Sequence, residues 1–286
     1  MGGGNFSAPT YVAAREHFAR AQRARYTYAM NDLEILSIAE ALAREAAAAI
    51  LAVRSEGFET THKSDESPVT AADHAAEAII VAGLRAQLPH IPVVAEEEVA
   101  AGTVTAVGDE FWLVDPLDGT REFAAGRDDF AVCIGLIRNG KPVLGVVAVP
   151  ARGTIYSGIK GVGAWKDGPD GRHEITTRET PGEGLAVVAS RHYAGDPKTA
   201  ELLATRKVAE LVNIGSAMKF CLVAEGRADF YPRLGRTMEW DTAAPQAVVE
   251  AAGGLVTNLD GTPLRYGKPG FENPHFYCGG TAQSLT

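Results

Sequence analysis

Apolar residues return at helical spacing from residue 31 onward. Leu36, Ala39, Ala43, Ala46, Ile50 and Val53 lie three or four apart and predict one buried stripe. Asn31 stands before the run with Glu34 three residues later, the capping-box relation, and Gly57 follows it as a stop. Residues 55–68 are polar and read as a loop. A second helix is predicted over 70–87, with Thr70 and Asp73 again three apart at its start. The apolar runs then shorten to strand length. Residues 91–95 end at Glu96 and 111–114 end at Asp115. Runs over 130–137 and 142–149 flank Asn139-Gly140, a strong hairpin signal. Residues 155–163 and Trp165 continue this strand-rich part. The Gly-, Pro- and charge-rich stretch 166–184 reads as a boundary between a half over 30–180 and a half over 181–286. In the second half the expectation alternates: strand over 185–189, helix over 198–203, strand over 208–214, helix over 216–225. A short extended piece over 229–231 follows, then a helix over 242–252 closed by Gly253-Gly254. The class is mixed α/β (α+β), antiparallel first and alternating second.

Composition narrows the picture without naming a function. The 286 residues are 46% hydrophobic and 22% charged, enough apolar surface for one large core or two smaller ones. No run of 18 apolar residues occurs, so no integral membrane association is expected. Residues 1–29 carry Arg15, Arg20, Arg23 and Arg25 against Glu16, with no apolar stretch of signal-peptide type. They read as an N-terminal extension, expected to be a disordered, frayed tail; a second reading makes Met30 the natural start and the stretch before it an extension. A short basic helix on an anionic surface is the remaining reading. Lysine plus arginine is 27 against 36 acids, a net charge of −9 that argues against a nucleic-acid polymer as partner. Cys133, Cys221 and Cys278 form no CxxC pair, which points to a reducing, cytoplasmic setting without structural disulfides.

The chemistry concentrates in Asp115-Pro116-Leu117-Asp118-Gly119-Thr120. A strand delivers Asp115 at its end. Pro116 is expected to turn the chain, bringing Asp118 back and aiming the Leu117 carbonyl at the same point. Gly119 permits close backbone approach, and the amides of Gly119 and Thr120 can receive an anion. Two carboxylates and a carbonyl suit a hard cation such as Mg²⁺, although an aspartate-rich turn has the same sequence. Glu96, first in Glu96-Glu97-Glu98, is best placed to reach a site at a strand end; Glu98 reads as solvated. Asp241 in Trp240-Asp241-Thr242 fits a helix N-cap as well as a metal ligand, and Asp73 fits a capping box.

These motifs resemble the inositol monophosphatase superfamily of Mg²⁺-dependent, lithium-sensitive phosphatases. The segments 67–73, 112–123, 215–226 and 239–252 resemble its bacterial 3′(2′),5′-bisphosphate nucleotidase branch, and the likeness covers about residues 30–280. It implies a layered αβαβα sandwich. It implies one Mg²⁺ on Glu96, Asp115 and the Leu117 carbonyl, and a second on Asp115, Asp118 and Asp241. Asp73 and Thr120 would position and deprotonate the attacking water. Asp118, Gly119 and Thr120 would surround the departing phosphate. The loop 60–68, with Lys63, Ser64 and Asp65, would close over the site or hold a third ion. Two ions about 3.5–4 Å apart clamp the attacking and leaving oxygens of such a displacement.

The substrate-reading residues implied by the branch are His192, Ser216, Lys219 and Arg233. Inositol monophosphatases resemble this chain elsewhere but carry a glutamate at the position of Arg233. A guanidinium there suits a second anion rather than hydroxyls. Each residue has a plainer reading: Lys219 as a solvent-facing helical lysine, Ser216 as an N-cap, His192 as structural. Ala217 and Pro245 depart from the branch, which usually has a serine and a glycine there. The implied reaction removes the 3′-phosphate of 3′-phosphoadenosine 5′-phosphate, or of its sulfated precursor, without a covalent intermediate. The alternatives are an inositol- or sugar-phosphate phosphatase and a non-catalytic nucleotide- or metal-binding regulator. The implied protein is a monomer or homodimer, cytoplasmic, with a peripheral place at the inner membrane left open.

Overall fold

The computed structural model describes residues 30–62, 68–193 and 195–285. The expectations for residues 1–29, and for Lys63, Ser64 and Asp65, lie outside the described residues. α1 (Asp32–Glu56) opens as predicted: Glu34 Oε2 accepts from the Asn31 amide at 2.8 Å and Asn31 Oδ1 accepts from the Glu34 amide at 3.0 Å. β1 (Thr60–His62) and β2 (Pro68–Thr70) pair antiparallel within the stretch read as loop. α2 (Ala71–Gln87) starts from Thr70.

β3 (Val93–Ala95) leads into the short α3 (Glu96–Ala100), and β4 (Glu110–Asp118) into α4 (Thr120–Ala124). β5 (Ala131–Arg138), β6 (Lys141–Val149), β7 (Thr154–Ile159), β8 (Gly163–Gly168) and β9 (Gly171–Ile175) follow in a seven-stranded sheet of order β3-β4-β5-β6-β7-β8-β9. Only β3 and β4 are parallel in it. Asn139 and Gly140 turn the β5–β6 hairpin with φ of 52° and 68°, the doubly left-handed turn that matches strand twist. The β8–β9 hairpin occupies part of the stretch read as a boundary, so the first sheet runs on to Ile175.

The second sheet has five strands in the order β11-β10-β12-β14-β13. They are β10 (Leu185–Ser190), β11 (Val208–Ile214), β12 (Phe230–Arg233), β13 (Leu255–Asn258) and β14 (Phe276–Gly279). The helices of this half are α5 (Pro197–Ala204), α6 (Met218–Ala224), α7 (Glu239–Ala251) and α8 (Ala282–Leu285).

Strand alternation sorts the side chains into layers. Trp112 and Val114 of β4 pack with Ile134, Val146 and the stripe of α1 and α2. Phe111 and Leu113 point the other way, to a core shared with Phe220 and Cys221 of α6, Ala243 and Val248 of α7, and Tyr231 and Phe276 of the second sheet. Leu185, Val187 and Phe230 on the far face meet Leu202, Leu203 and Leu285. The order is helices, sheet, helices, sheet, helices: the expected αβαβα sandwich. α6 lies between the two sheets and all of its residues are buried.

α7 sits unusually close to the first sheet. Gly135, Gly145 and Gly158 stand opposite one another on β5, β6 and β7. A Cβ on Gly145 would lie 2.1 Å from the Ala244 carbonyl oxygen, and one on Gly135 2.6 Å from the Ala244 amide. This glycine row lets the helix backbone rest on the strands, and it fixes where the start of α7 points.

Candidate active site

Four element ends meet at one rim of the first sheet: the start of α2, the β3–α3 step, the end of β4 and the start of α7. The β4 end differs from the simple turn expected. The strand continues through Pro116 to Asp118. Asp115 opposes Cys133 and Asp118 opposes Ala131, so β4 carries one extra residue. Proline, lacking an amide hydrogen, fits such a bulge. Within it Asp115, buried, accepts from the Leu117 amide at 2.9 Å.

Oxygens of Glu96, Asp115 and Asp241 all lie within 4.8 Å of one another. Asp241 reaches them because α7 begins three residues earlier than predicted. It is not the N-cap. It sits one turn into the helix, where its Oδ2 accepts from the Met238 amide at 2.9 Å. The longer start is held from outside the helix. Glu239, fully buried, accepts from the amides of Gly267 at 2.7 Å and Lys268 at 2.9 Å and pairs with the Lys268 ammonium at 2.6 Å. The Asn273 amide donates to the Met238 carbonyl at 2.8 Å. Pro245 lies inside α7 without ending it. Asp118 is turned toward the second half, where it accepts from the Ala217 amide.

Crowding three carboxylates has an electrostatic consequence. Burial first, then the charges of Asp118 and Glu96, push the Asp241 carboxyl up to about 7. A divalent cation relieves both causes, and the all-oxygen donor set suits a hard ion such as Mg²⁺. The residues therefore fit the metal that the motifs imply.

Beside the trio, Thr120 Oγ1 lies 3.0 Å from Asp73 Oδ1 and 3.0 Å from the Leu117 carbonyl. Asp73 Oδ2 accepts from the amide and the hydroxyl of Thr70, both at 2.8 Å. The cap and the Thr120 contact thus coexist on one carboxylate, one oxygen each. Gly119 has φ of 94°, and a Cβ there would meet the Asp129 carbonyl at 2.9 Å and Ser216 Cβ at 3.1 Å. No side chain other than glycine's fits this cradle.

The residues expected at the second anion divide. Ser216 is not an N-cap: its φ is 59°, Ala217 takes that place, and Ser216 Oγ is buried beside Gly119 with no hydrogen-bond partner among the described residues. Lys219 is not solvent-facing. It is buried, donating to the carbonyls of Ser216 at 2.5 Å and Ile214 at 3.3 Å, with its ammonium 5.3 Å from the centre of the Tyr231 ring. Burial pushes it down to about 8, against the pull of Asp118 and with the push of Arg233. Its charge therefore supports the 214–216 backbone from beneath.

Arg233 closes β12, its guanidinium donating to the Arg236 carbonyl at 2.6 Å. His192 Nε2 lies 2.7 Å from Arg121 Nη1, and burial, Arg121 and Arg233 together hold its pKa below the ordinary value. A neutral imidazole accepting from Arg121 follows. Arg121 is a cation that the motif reading passed over. Glu122 also went unread. Its carboxylate binds Arg127 at 2.7 Å and Arg191 at 2.8 Å, and Arg191 continues to Asp129 at 2.6 Å. That chain ties the 190s segment to α4. Only an arginine directly after the threonine, and an acid after that, hinted at these roles.

A layered sandwich with an acidic trio at the rim of its first sheet defines a class, and the chain belongs to it: the model of the inositol monophosphatase family matches residues 31–283. Within that class the chain is 44% identical over 238 residues to the 3′(2′),5′-bisphosphate nucleotidase CysQ of Escherichia coli K12, covering 82% of this chain and 95% of that one. The crystal structure of CysQ from Bacteroides thetaiotaomicron is similar with a TM-score of 0.71 and 35% identity, over 85% of this chain and 96% of that one. An inositol monophosphatase from Anabaena shares the fold with a TM-score of 0.70 and 26% identity, over 90% and 94%.

Proposed function

We propose that this chain is a Mg²⁺-dependent phosphoric monoester hydrolase that removes the 3′-phosphate of 3′-phosphoadenosine 5′-phosphate, giving AMP and phosphate. The observation that carries the reading is the Glu96–Asp115–Asp241 trio beside the Asp73–Thr120 pair, with Arg233, Arg121 and His192 grouped nearby. The high identity to nucleotidases named CysQ supports the nucleotide over an inositol phosphate. The sulfated precursor, with the same 3′-phosphate and an anionic 5′ end, is a second substrate of this reading.

Bound by Glu96, Asp115, Asp118, Asp241 and the Leu117 carbonyl, two Mg²⁺ ions would supply Lewis-acid charge at the reacting phosphate. The protein's own groups do the rest. Thr120 Oγ1 donates its hydrogen to Asp73 and can accept one from water, so the pair orients a water and drains its proton toward Asp73. The two Thr70 contacts keep the other Asp73 oxygen occupied, leaving Oδ1 as the acceptor. Gly119 and the first amides of α4 receive the phosphate oxygens, with Ser216 Oγ at their edge. In the displacement the water oxygen bonds to phosphorus, the bond to O3′ breaks, and the leaving oxygen takes up a proton. Arg233 and Arg121 hold the 5′-phosphate, with His192 orienting Arg121.

The division of labour assigns most metal ligands to residues 30–180 and the nucleotide to 181–286, with Asp241 and Arg121 crossing over. A third ion on the 60–68 loop belongs to the same reading. The partner is a small-molecule nucleotide rather than a polymer, acted on by a monomer or homodimer. No helix among the described residues is long and apolar enough to cross a membrane. We place the enzyme in the cytoplasm, in keeping with three cysteines that are all buried and unpaired.

Phosphate release from the bisphosphate tests this directly. It should require Mg²⁺, stop with a chelator and fall with lithium. Arg233→Glu should raise KM for the bisphosphate far more than for a 3′-monophosphate. Turnover indifferent to chelator removes the metal reading, and equal losses on both substrates remove the role of Arg233.

A further inference from the structure

Glu96 has a positioning problem that its own helix does not solve. It is the first residue of α3, a helix of five residues whose N-cap, Ala95, has no side chain able to cap it. The amides of the first turn therefore need an acceptor from elsewhere. That acceptor is Glu77, on the neighbouring helix α2. Glu77 is 6% exposed, and its Oε2 accepts from the Glu97 amide at 2.8 Å.

The rest of the contact fixes the pair of helices. Arg85, two turns further along α2, grips Glu98 through two bonds of 2.8 and 2.7 Å. The arrangement clamps α3 at its first turn by a carboxylate and at its third residue by a guanidinium. One turn before Glu77 on α2 stands Asp73, the acceptor for Thr120. A single helix thus aims the water-orienting carboxylate and, through α3, one of the three carboxylates of the metal trio. Placing an acid beside Glu97 and Glu98 is electrostatically costly, and the bond from the Glu97 amide offsets part of that cost.

We propose that Glu77 is a positioning residue for metal binding: it caps α3 from outside and so sets the direction of the Glu96 carboxylate, without itself touching metal or substrate. The inference rests on the metal reading of Glu96. Outer partners that orient metal ligands typically change affinity or activity by about 10–100-fold when removed.

The experiment measures direct Mn²⁺ binding by calorimetry on the full chain, beside the Mg²⁺ dependence of phosphate release. Glu77→Ala should weaken Mn²⁺ binding, and raise the half-saturating Mg²⁺, by about 10-fold or more. KM for the bisphosphate at saturating Mg²⁺ should stay within about twofold of the unaltered chain, since a local cap lies away from substrate. Glu77→Gln, which keeps one acceptor oxygen and the side-chain shape, should recover most of the affinity; it also serves if the alanine variant fails to fold. A folded Glu77→Ala with unchanged Mn²⁺ affinity overturns the proposal. So does a Glu77→Gln as impaired in Mn²⁺ binding as a folded alanine variant, because charge rather than capping would then be at work. Failure of the unaltered chain to bind Mn²⁺ at all strikes the metal reading itself, a separable result.

Discussion

Asp241 and Glu77 are carboxylates held partly protonated near neutrality, and this makes the metal-free protein sensitive to pH. Burial first, then Asp118 and Glu96, push Asp241 from an ordinary 3.8 up to about 7; burial first, then the charges of Glu97 and Glu98, push Glu77 from 4.5 up to about 7. The folded chain therefore keeps protons that the unfolded chain gives up between about pH 4 and pH 7. That contribution to stability is complete below the unfolded values and is lost as pH rises through about 7. Thermal melts in chelator should show Tm falling from pH 5 to pH 8. Added Mg²⁺ should restore more at pH 8, where its ligands are deprotonated, than at pH 5. A Tm at pH 8 that ignores Mg²⁺ contradicts the cation site. At this scale the contiguous motif was readable, because Asp115, Asp118, Gly119 and Thr120 lie on one strand end. Glu77 and Arg121 were not, because each acts through a contact made only when separate elements meet. The burial of Lys219 was not readable for the same reason. Its helix is buried on every side between two sheets, and no periodicity within seven residues reports that.

At the scale of elements, the start of α7 is the part most dependent on packing. Its register is set by the glycine row beneath it and by Glu239, Lys268 and Asn273 around it, so local propensity misplaced its first residue. A lone N-cap signal at Asp241 was outweighed by these tertiary bonds. Gly145→Ala should show the dependence. Its added Cβ would meet the Ala244 carbonyl, and the helix must lift or the strands must part. Overpacking of this kind costs about 1–3 kcal/mol. A fall in Tm of about 2–4 °C per kcal/mol is expected for a chain of this size class, with weaker Mg²⁺ dependence as Asp241 shifts. Unchanged Tm and metal dependence would show that the close contact is not needed. By contrast α1, α2 and the β5–β6 hairpin followed their sequence signals, since capping boxes and an Asn-Gly turn act within a few residues.

At the scale of the molecule, two sheets share one middle layer, and that layer decides where chemistry sits. The trio needs Asp115 from the first sheet, Glu96 from the helix that follows β3 and Asp241 from the helix between the sheets, so neither half completes it alone. The alternation of helix and strand was legible from the pattern. The stacking order was carried by resemblance, because strand order is a long-range property. The cationic group of Arg121, His192 and Arg233 gathers residues from both halves in the same way, and in the proposed function it is what tells a bisphosphate from a polyol monophosphate. The account rests most heavily on that distinction. The most direct measurement is kcat/KM with Mg²⁺ for 3′-phosphoadenosine 5′-phosphate beside inositol 1-phosphate. A charge-assisted hydrogen bond to a second phosphate contributes about 1.5–3 kcal/mol. With two arginines sharing the task, the nucleotide should lead by about 100-fold or more. Equal values, or a preference for the inositol ester, would contradict the assignment of Arg233 and Arg121 while leaving the metal site in place.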